Sequence, residues 1–150
     1  MVWDPFCGSG LELVERGLMG GVSRLCGTDL SAGAIAACRT NLAAADLGAI
    51  RIDLRTTDFR QFVLRGGLAP GSVSLVITNP PLGRRVRIPN LRQLIRDLFE
   101  MSARVLRPGG RLVCINPIEL EQLPPGLERV HRSQVDLGGF DCWMERYDRS

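Results

Sequence analysis

The sequence predicts an α/β domain: a mainly parallel, twisted sheet with helices on both faces and an antiparallel edge at its C-terminal end. Three observations predict it. Short β-rich runs alternate with longer helical ones, and repeated strand–helix–strand units place helices over both faces of a sheet. A glycine-containing loop, Asp4-Pro5-Phe6-Cys7-Gly8-Ser9-Gly10, stands between a strand and a helix, where doubly wound sheets bind ligands. The last two β-rich runs are joined by a short connection through Gly138-Gly139, which makes an antiparallel pair.

In order along the chain, Met1–Trp3 reads as the end of a strand, Leu11–Gly17 as a helix and Arg24–Gly27 as a strand. Ser31–Leu47 is alanine-rich and helical, with Ser31 as N-cap and Gly48 as stop. Ile50–Thr56 alternates like a strand, and Val73–Thr78 is a short apolar strand. Leu91–Leu106 carries apolar residues at Leu91, Leu94, Ile95, Leu98 and Met101, a helical stripe. Arg107-Pro108-Gly109-Gly110 is a turn before the strand Arg111–Ile115. Glu128–Asp136 and Phe140–Tyr147 are the closing strands. Pro124-Pro125-Gly126 is a turn and not a domain boundary, so residues 1–150 form one domain. Only three residues precede the first loop, fewer than an ordinary strand contains, which points to a domain truncated at its N-terminus.

Composition narrows the function classes. The chain is 45% hydrophobic and 23% charged, with net charge +3, a globular composition whose mild charge identifies no partner. All 19 basic residues are arginine, a bias that also suits phosphate recognition. Cys7, Cys26, Cys38, Cys114 and Cys142 form no C-x-x-C pair, and His131 is the single histidine. No metal site is therefore expected, and scattered thiols suggest a reducing, cytoplasmic setting. No apolar run reaches the length of a membrane span.

The loop itself excludes several chemistries. Leu13 occupies the third glycine position of a dinucleotide fingerprint, there is no lysine for a Walker loop, and the G-x-S-x-G pattern of a nucleophile elbow fails. Ser9-x-x-Glu12 matches a capping box, so Ser9 is expected to cap the first helix. Asp29 ends the second strand nineteen residues after Gly10, where an acid hydrogen-bonds ribose hydroxyls. Asp58-Phe59 follows the third strand, in what alone would be a surface turn. Asp4, Asp29 and Asp58 thus stand at the carboxyl ends of three successive strands.

The fourth strand runs into Asn79-Pro80-Pro81-Leu82. Proline fixes φ and donates no hydrogen bond, and the residue before it is held extended. The expected result is a stiff arch offering the Asn79 side-chain oxygen and the Pro80 carbonyl to a ligand. Arg84, Arg85 and Arg87, with Arg92 and Arg96 beyond, cluster just past it and suit phosphates.

Taken together, D-P-F-C-G-S-G, T-D-L-S, T-D-F and N-P-P resemble the ordered motifs of class I S-adenosylmethionine-dependent methyltransferases, and in combination those of the methyltransferase domain of THUMP-containing RNA methyltransferases. The resemblance implies a Rossmann-like fold and S-adenosylmethionine as cofactor. It implies that Asp4 and the loop residues Phe6, Cys7, Gly8 and Gly10 hold the methionine part. Asp29, beside Leu30, would take the ribose hydroxyls, and Asp58, beside Phe59, the adenine amino group. Asn79, Pro80, Pro81 and Leu82 would be the catalytic arch, with Arg84, Arg85 and Arg87 binding substrate. Leu82 departs from the aromatic residue common in amine methyltransferases, which turns the expected target from adenine N6 towards guanine N2 in tRNA or ribosomal RNA. Leu11 replaces the usual threonine after the last loop glycine.

Other readings stay open on the residues: a DNA adenine or glutamine amide methyltransferase, a cofactor-binding RNA-associated module without turnover, and a dehydrogenase. Two further partners are open as well, a second copy of the chain or an RNA-binding domain upstream of Met1.

Overall fold

A computed structural model describes residues 1–82, 89–136, 138 and 141–150. The elements are β1 (Val2–Asp4), α1 (Leu11–Leu18), β2 (Arg24–Asp29), α2 (Ala32–Ala44), β3 (Arg51–Thr56), α3 (Phe59–Leu64), β4 (Val73–Thr78), α4 (Leu91–Val105), β5 (Leu106–Asn116), β6 (Leu127–Asp136) and β7 (Asp141–Arg149). The seven strands form one sheet in the order β3-β2-β1-β4-β5-β7-β6. β3, β2, β1, β4 and β5 run parallel, and β7 lies antiparallel between β5 and β6. This is the Rossmann-like α/β fold of the class I methyltransferases, with the antiparallel C-terminal edge expected of the closing strands.

The sheet separates two apolar cores. On one side Leu13 of α1 and Ile35, Cys38 and Leu42 of α2 pack with Val2, Leu25 and Cys7. On the other, Phe59 and Val63 of α3 and Ile95, Leu98, Phe99 and Val105 of α4 pack with Trp3, Val76, Leu112 and Tyr147. The Phe99 and Tyr147 rings meet edge to face, with centroids 4.8 Å apart. Both faces of the central strands are thus covered, which is why β4 reads as a nearly continuous apolar run.

Several local expectations need correction. Ser9 does not cap α1: Gly10 is the N-cap, with φ 87°, and no side chain caps it. Gly10 sits so close to α2 that a Cβ there would lie 2.5 Å from Cys38 Sγ, so close packing and the turn decide the helix start. Ser31 does cap α2, accepting from the Ala34 amide at 3.2 Å, but the helix ends at Ala44 and not Leu47, with left-handed backbone at Asp46 and Gly48. The turn after Asp58 is the first turn of a helix, α3. The Arg107–Gly110 turn lies inside β5 as a register irregularity, because Val73 pairs with Leu106 and Leu75 already with Arg111.

Candidate active site

The strand order reverses between β1 and β4, which is where a doubly wound sheet opens a crevice at the carboxyl ends of its strands. A cleft of about 540 Å³ lies there. One wall carries Pro5, Phe6, Asp29 and Leu30; another carries Thr57, Asp58, Phe59 and Arg60; Asn79, Pro81, Pro89 and Leu94 complete it. Residues from the ends of β1, β2, β3 and β4 therefore meet at one place, as their strand-end positions predict.

The loop after β1 is held open by backbone bonds. The Cys7 amide donates to Thr28 O at 3.0 Å and the Gly10 amide to Cys7 O at 2.7 Å. The buried Thr28 hydroxyl donates to Pro5 O at 3.0 Å, and Asn41 Nδ2 on α2 donates to Ser9 O at 2.9 Å. A Cβ added at Gly8 would meet nothing nearer than Phe6 O at 4.0 Å. The chain is therefore open beside Gly8, and a ligand can approach its backbone. The Cys7 side chain is turned away into the α1–α2 core, 2% exposed, so Cys7 can contribute to a ligand only through its backbone.

Asp29 joins this loop to the next. Its Oδ2 accepts from the Gly8 amide at 3.0 Å and its Oδ1 from the Ser31 amide at 2.8 Å. Each oxygen keeps a lone pair for a hydroxyl donor. Leu30 beside it is 75% exposed, an apolar side chain standing at the cleft without cover.

Asp58 has a double local role. Its Oδ1 accepts from the Arg60 and Gln61 amides at 2.8 and 3.3 Å as N-cap of α3. Arg60 pairs with it as well, Nη2 to Oδ2 at 2.6 Å, and with Asp97 through Nη1 at 2.9 Å. The Arg60 bond holds the Asp58 carboxyl below its ordinary range. Arg60 Nε also donates to both oxygens, at 3.0 Å to Oδ1 and 3.2 Å to Oδ2, so Oδ2 carries two donors where Oδ1 carries three. Phe59 and Phe6 stack at a tilt, with centroids 4.8 Å apart, and Arg60 lies over the Phe59 ring at 5.4 Å. Phe59 itself is buried, 3% exposed, although it lines the cleft.

Asp4 is wholly buried and does not line the cleft. Its Oδ1 accepts from the Phe6 amide at 3.0 Å and from Thr78 Oγ1 at 2.6 Å, while Oδ2 has no partner among the described residues. Burial raises its carboxyl to about 8, against the opposing pull of the Thr78 bond. In the arch, Asn79 and Pro81 are exposed, Pro80 is buried and Leu82 half-buried. No hydrogen bond among the described residues engages the Asn79 side chain, although it lines the cleft. Arg84, Arg85 and Arg87 lie outside the described residues; Arg92 donates to Glu119 O at 3.3 Å.

Thr57, Arg60, Pro89 and Leu94 line the cleft without having been expected as site residues from the sequence. Arg60, two residues past Asp58, could have been found as a charge partner. Leu94 gave only a core signal, because one helical stripe serves both core and cleft. Among the described residues no group of three or more His, Cys, Asp or Glu is placed to hold a metal ion, and no helix is long and apolar enough to cross a membrane.

The site fits an adenosine-bearing ligand: apolar rings and leucines for a base, paired acids at two strand ends, and a glycine loop open to close approach. With the strand order, this defines a class I S-adenosylmethionine-dependent methyltransferase domain. Residues 1–124 match the family described as RMKL-like, methyltransferase domain, and the chain belongs to that family. Among solved structures, TrmN from Thermus thermophilus is 28% identical with a TM-score of 0.81, over 99% of this chain. This chain spans 43% of that protein's length. The rRNA methyltransferase aviRa from Streptomyces viridochromogenes is 18% identical, TM-score 0.66, over 97% of this chain and 75% of its own. The magnesium protoporphyrin IX methyltransferase ChlM from Synechocystis PCC 6803, a structure with bound SAM, is 14% identical, TM-score 0.73, over 100% of this chain and 70% of its own. The last two likenesses concern fold alone. No curated protein matches the sequence.

Proposed function

We propose that this chain methylates an exocyclic amine of a nucleic-acid base, with guanine N2 in tRNA or ribosomal RNA as the target. The observation that carries the reading is the Asn79 carboxamide. It is exposed on the cleft and unengaged among the described residues, in the same cleft as Asp29 and Asp58, on a backbone stiffened by the two prolines that follow. The motif likeness to THUMP-containing RNA methyltransferases supports RNA as the substrate class.

S-adenosylmethionine, when bound, supplies an electrophilic methyl group on a sulfonium. Asp29 and the open backbone at Gly8 are suited to hold its ribose and methionine parts, and Asp58 its adenine amine. The arch acts on the substrate. An exocyclic amine is a weak nucleophile because its lone pair is delocalised into the ring. The Asn79 Oδ1 and Pro80 carbonyl acceptors, one on each hydrogen, favour a tetrahedral nitrogen and aim the lone pair. Fixed dipoles and positioning of this kind need no histidine. The proton shed by the amine leaves through these oxygens or water. Arg84, Arg85 and Arg87 would neutralise neighbouring phosphates.

Tritium transfer from labelled cofactor to separate RNA, DNA and protein pools tests the proposal. Label is expected in RNA, and Asn79→Ala is expected to lose on the order of 10²-fold in turnover while cofactor affinity holds. Label found in protein alone would replace the base amine with a glutamine amide. An Asn79→Ala variant indistinguishable from the parent would leave a binding module.

A further inference from the structure

The β1–β4 ladder ends at the Trp3–Val76 pair. Beyond that pair the two chains continue into different parts of the site, Asp4 into the glycine loop and Thr78 into the arch. A side-chain bond bridges them there, from Thr78 Oγ1 to Asp4 Oδ1 at 2.6 Å. Thr78 is 3% exposed and Asp4 0%, so the bond is shielded from water. The same Asp4 oxygen receives the Phe6 amide at 3.0 Å. One buried atom thus joins the first turn of the cofactor loop to the residue immediately before Asn79.

We propose that Thr78 is a positioning residue, which through Asp4 fixes the Asn79-Pro80-Pro81 arch relative to the loop that holds the methyl donor. Stability alone does not account for the pair. A buried carboxyl group is costly, and Asp4 Oδ2 has no partner among the described residues. A well-packed apolar pair at this point in the sheet would be at least as stable. What the polar pair adds is direction: a hydrogen bond fixes one side chain's position against the other, where apolar contact would let them slide. Methyl transfer needs the amine and the methyl carbon in line, and a displacement of about 1 Å can cost on the order of 10²-fold in rate.

This inference rests on the amine methyltransferase reading, and the test separates the two. Thr78→Val keeps the shape and removes the donor; Thr78→Ser restores it. In the full protein, Thr78→Val is expected to keep its affinity for S-adenosylhomocysteine within about threefold by calorimetry, and to lose at least about tenfold in kcat. Thr78→Ser recovers most of that loss. A Thr78→Val variant with parental kcat would overturn the proposal, as would parallel losses of affinity and kcat that serine does not rescue. Hydrogen exchange gives a readout without turnover. In the parent, S-adenosylhomocysteine is expected to slow exchange both in the loop and in a peptide spanning 73–82; in Thr78→Val the slowing stays in the loop. Should the parent bind cofactor but methylate nothing, the function reading fails and exchange decides the coupling. Equal slowing in both proteins at 73–82 would then refute it.

Discussion

Arg60 folds back onto Asp58 two residues before it, with Nη2 2.6 Å from Oδ2, while the same carboxylate caps α3. The cap and the ion pair can be separated. Asp58→Asn keeps a capping oxygen and Asp58→Ala does not. We expect Asp58→Ala to cost about 1 kcal/mol more than Asp58→Asn in urea unfolding, the ordinary worth of a cap. Both variants are expected to bind S-adenosylhomocysteine several-fold more weakly, because each loses the charged acceptor facing the cleft.

Asp29 holds two loops at once through the Gly8 and Ser31 amides. Removing it leaves both donors unpaired as well as deleting the acceptor proposed for the ribose. Asp29→Ala should abolish measurable cofactor binding in calorimetry. Asp29→Asn, which keeps one acceptor, should lower stability less and still bind at least about tenfold more weakly, since a charge-assisted bond is roughly twice as strong as a neutral one.

The two loop glycines should fail differently when changed to alanine. Both have positive φ, 50° at Gly8 and 87° at Gly10, which costs a non-glycine residue about 1–2 kcal/mol. Gly10→Ala adds a collision with Cys38 Sγ at 2.5 Å and should be the less stable by thermal unfolding. Gly8→Ala meets no close neighbour, so its larger effect should be on cofactor affinity.

Asp4 gives a pH signature. Burial raises its carboxyl from 3.8 to about 8 in the fold, so the folded chain holds a proton there that the unfolded chain releases at lower pH. Its contribution is complete below the unfolded value near 4 and is lost as pH rises through about 8. The melting temperature should therefore decline between about pH 4 and 8, and Asp4→Asn should flatten that part of the decline in calorimetric scans. The groups that act on Asp4 beside burial are Thr78, Glu12, the Phe6 amide and Cys38. A slope unchanged in Asp4→Asn would assign the decline elsewhere.

What the sequence by itself determined was whatever depends on neighbours along the chain. Alternating runs placed the strands, and the closing glycine turn placed the antiparallel edge. Chain order put Asp29, Asp58 and Asn79 at strand ends, because a loop between a strand and the next element has nowhere else to lie. The tertiary structure decided what depends on residues far apart. Asp58 reads locally as a surface turn, and six residues of α3 are too few for a helical period to be seen. Cys7 belongs to the loop motif, yet its side chain fills a core built with α2. Ser9 has the spacing of a cap and lost that place to Gly10, because Cys38 packs against the turn. Thr78 and Asp4 are 74 residues apart, and only the adjacency of β1 and β4 in the sheet brings their oxygens together. Hydrogen-bond partners and burial follow from strand order, and strand order is settled by packing over the whole chain.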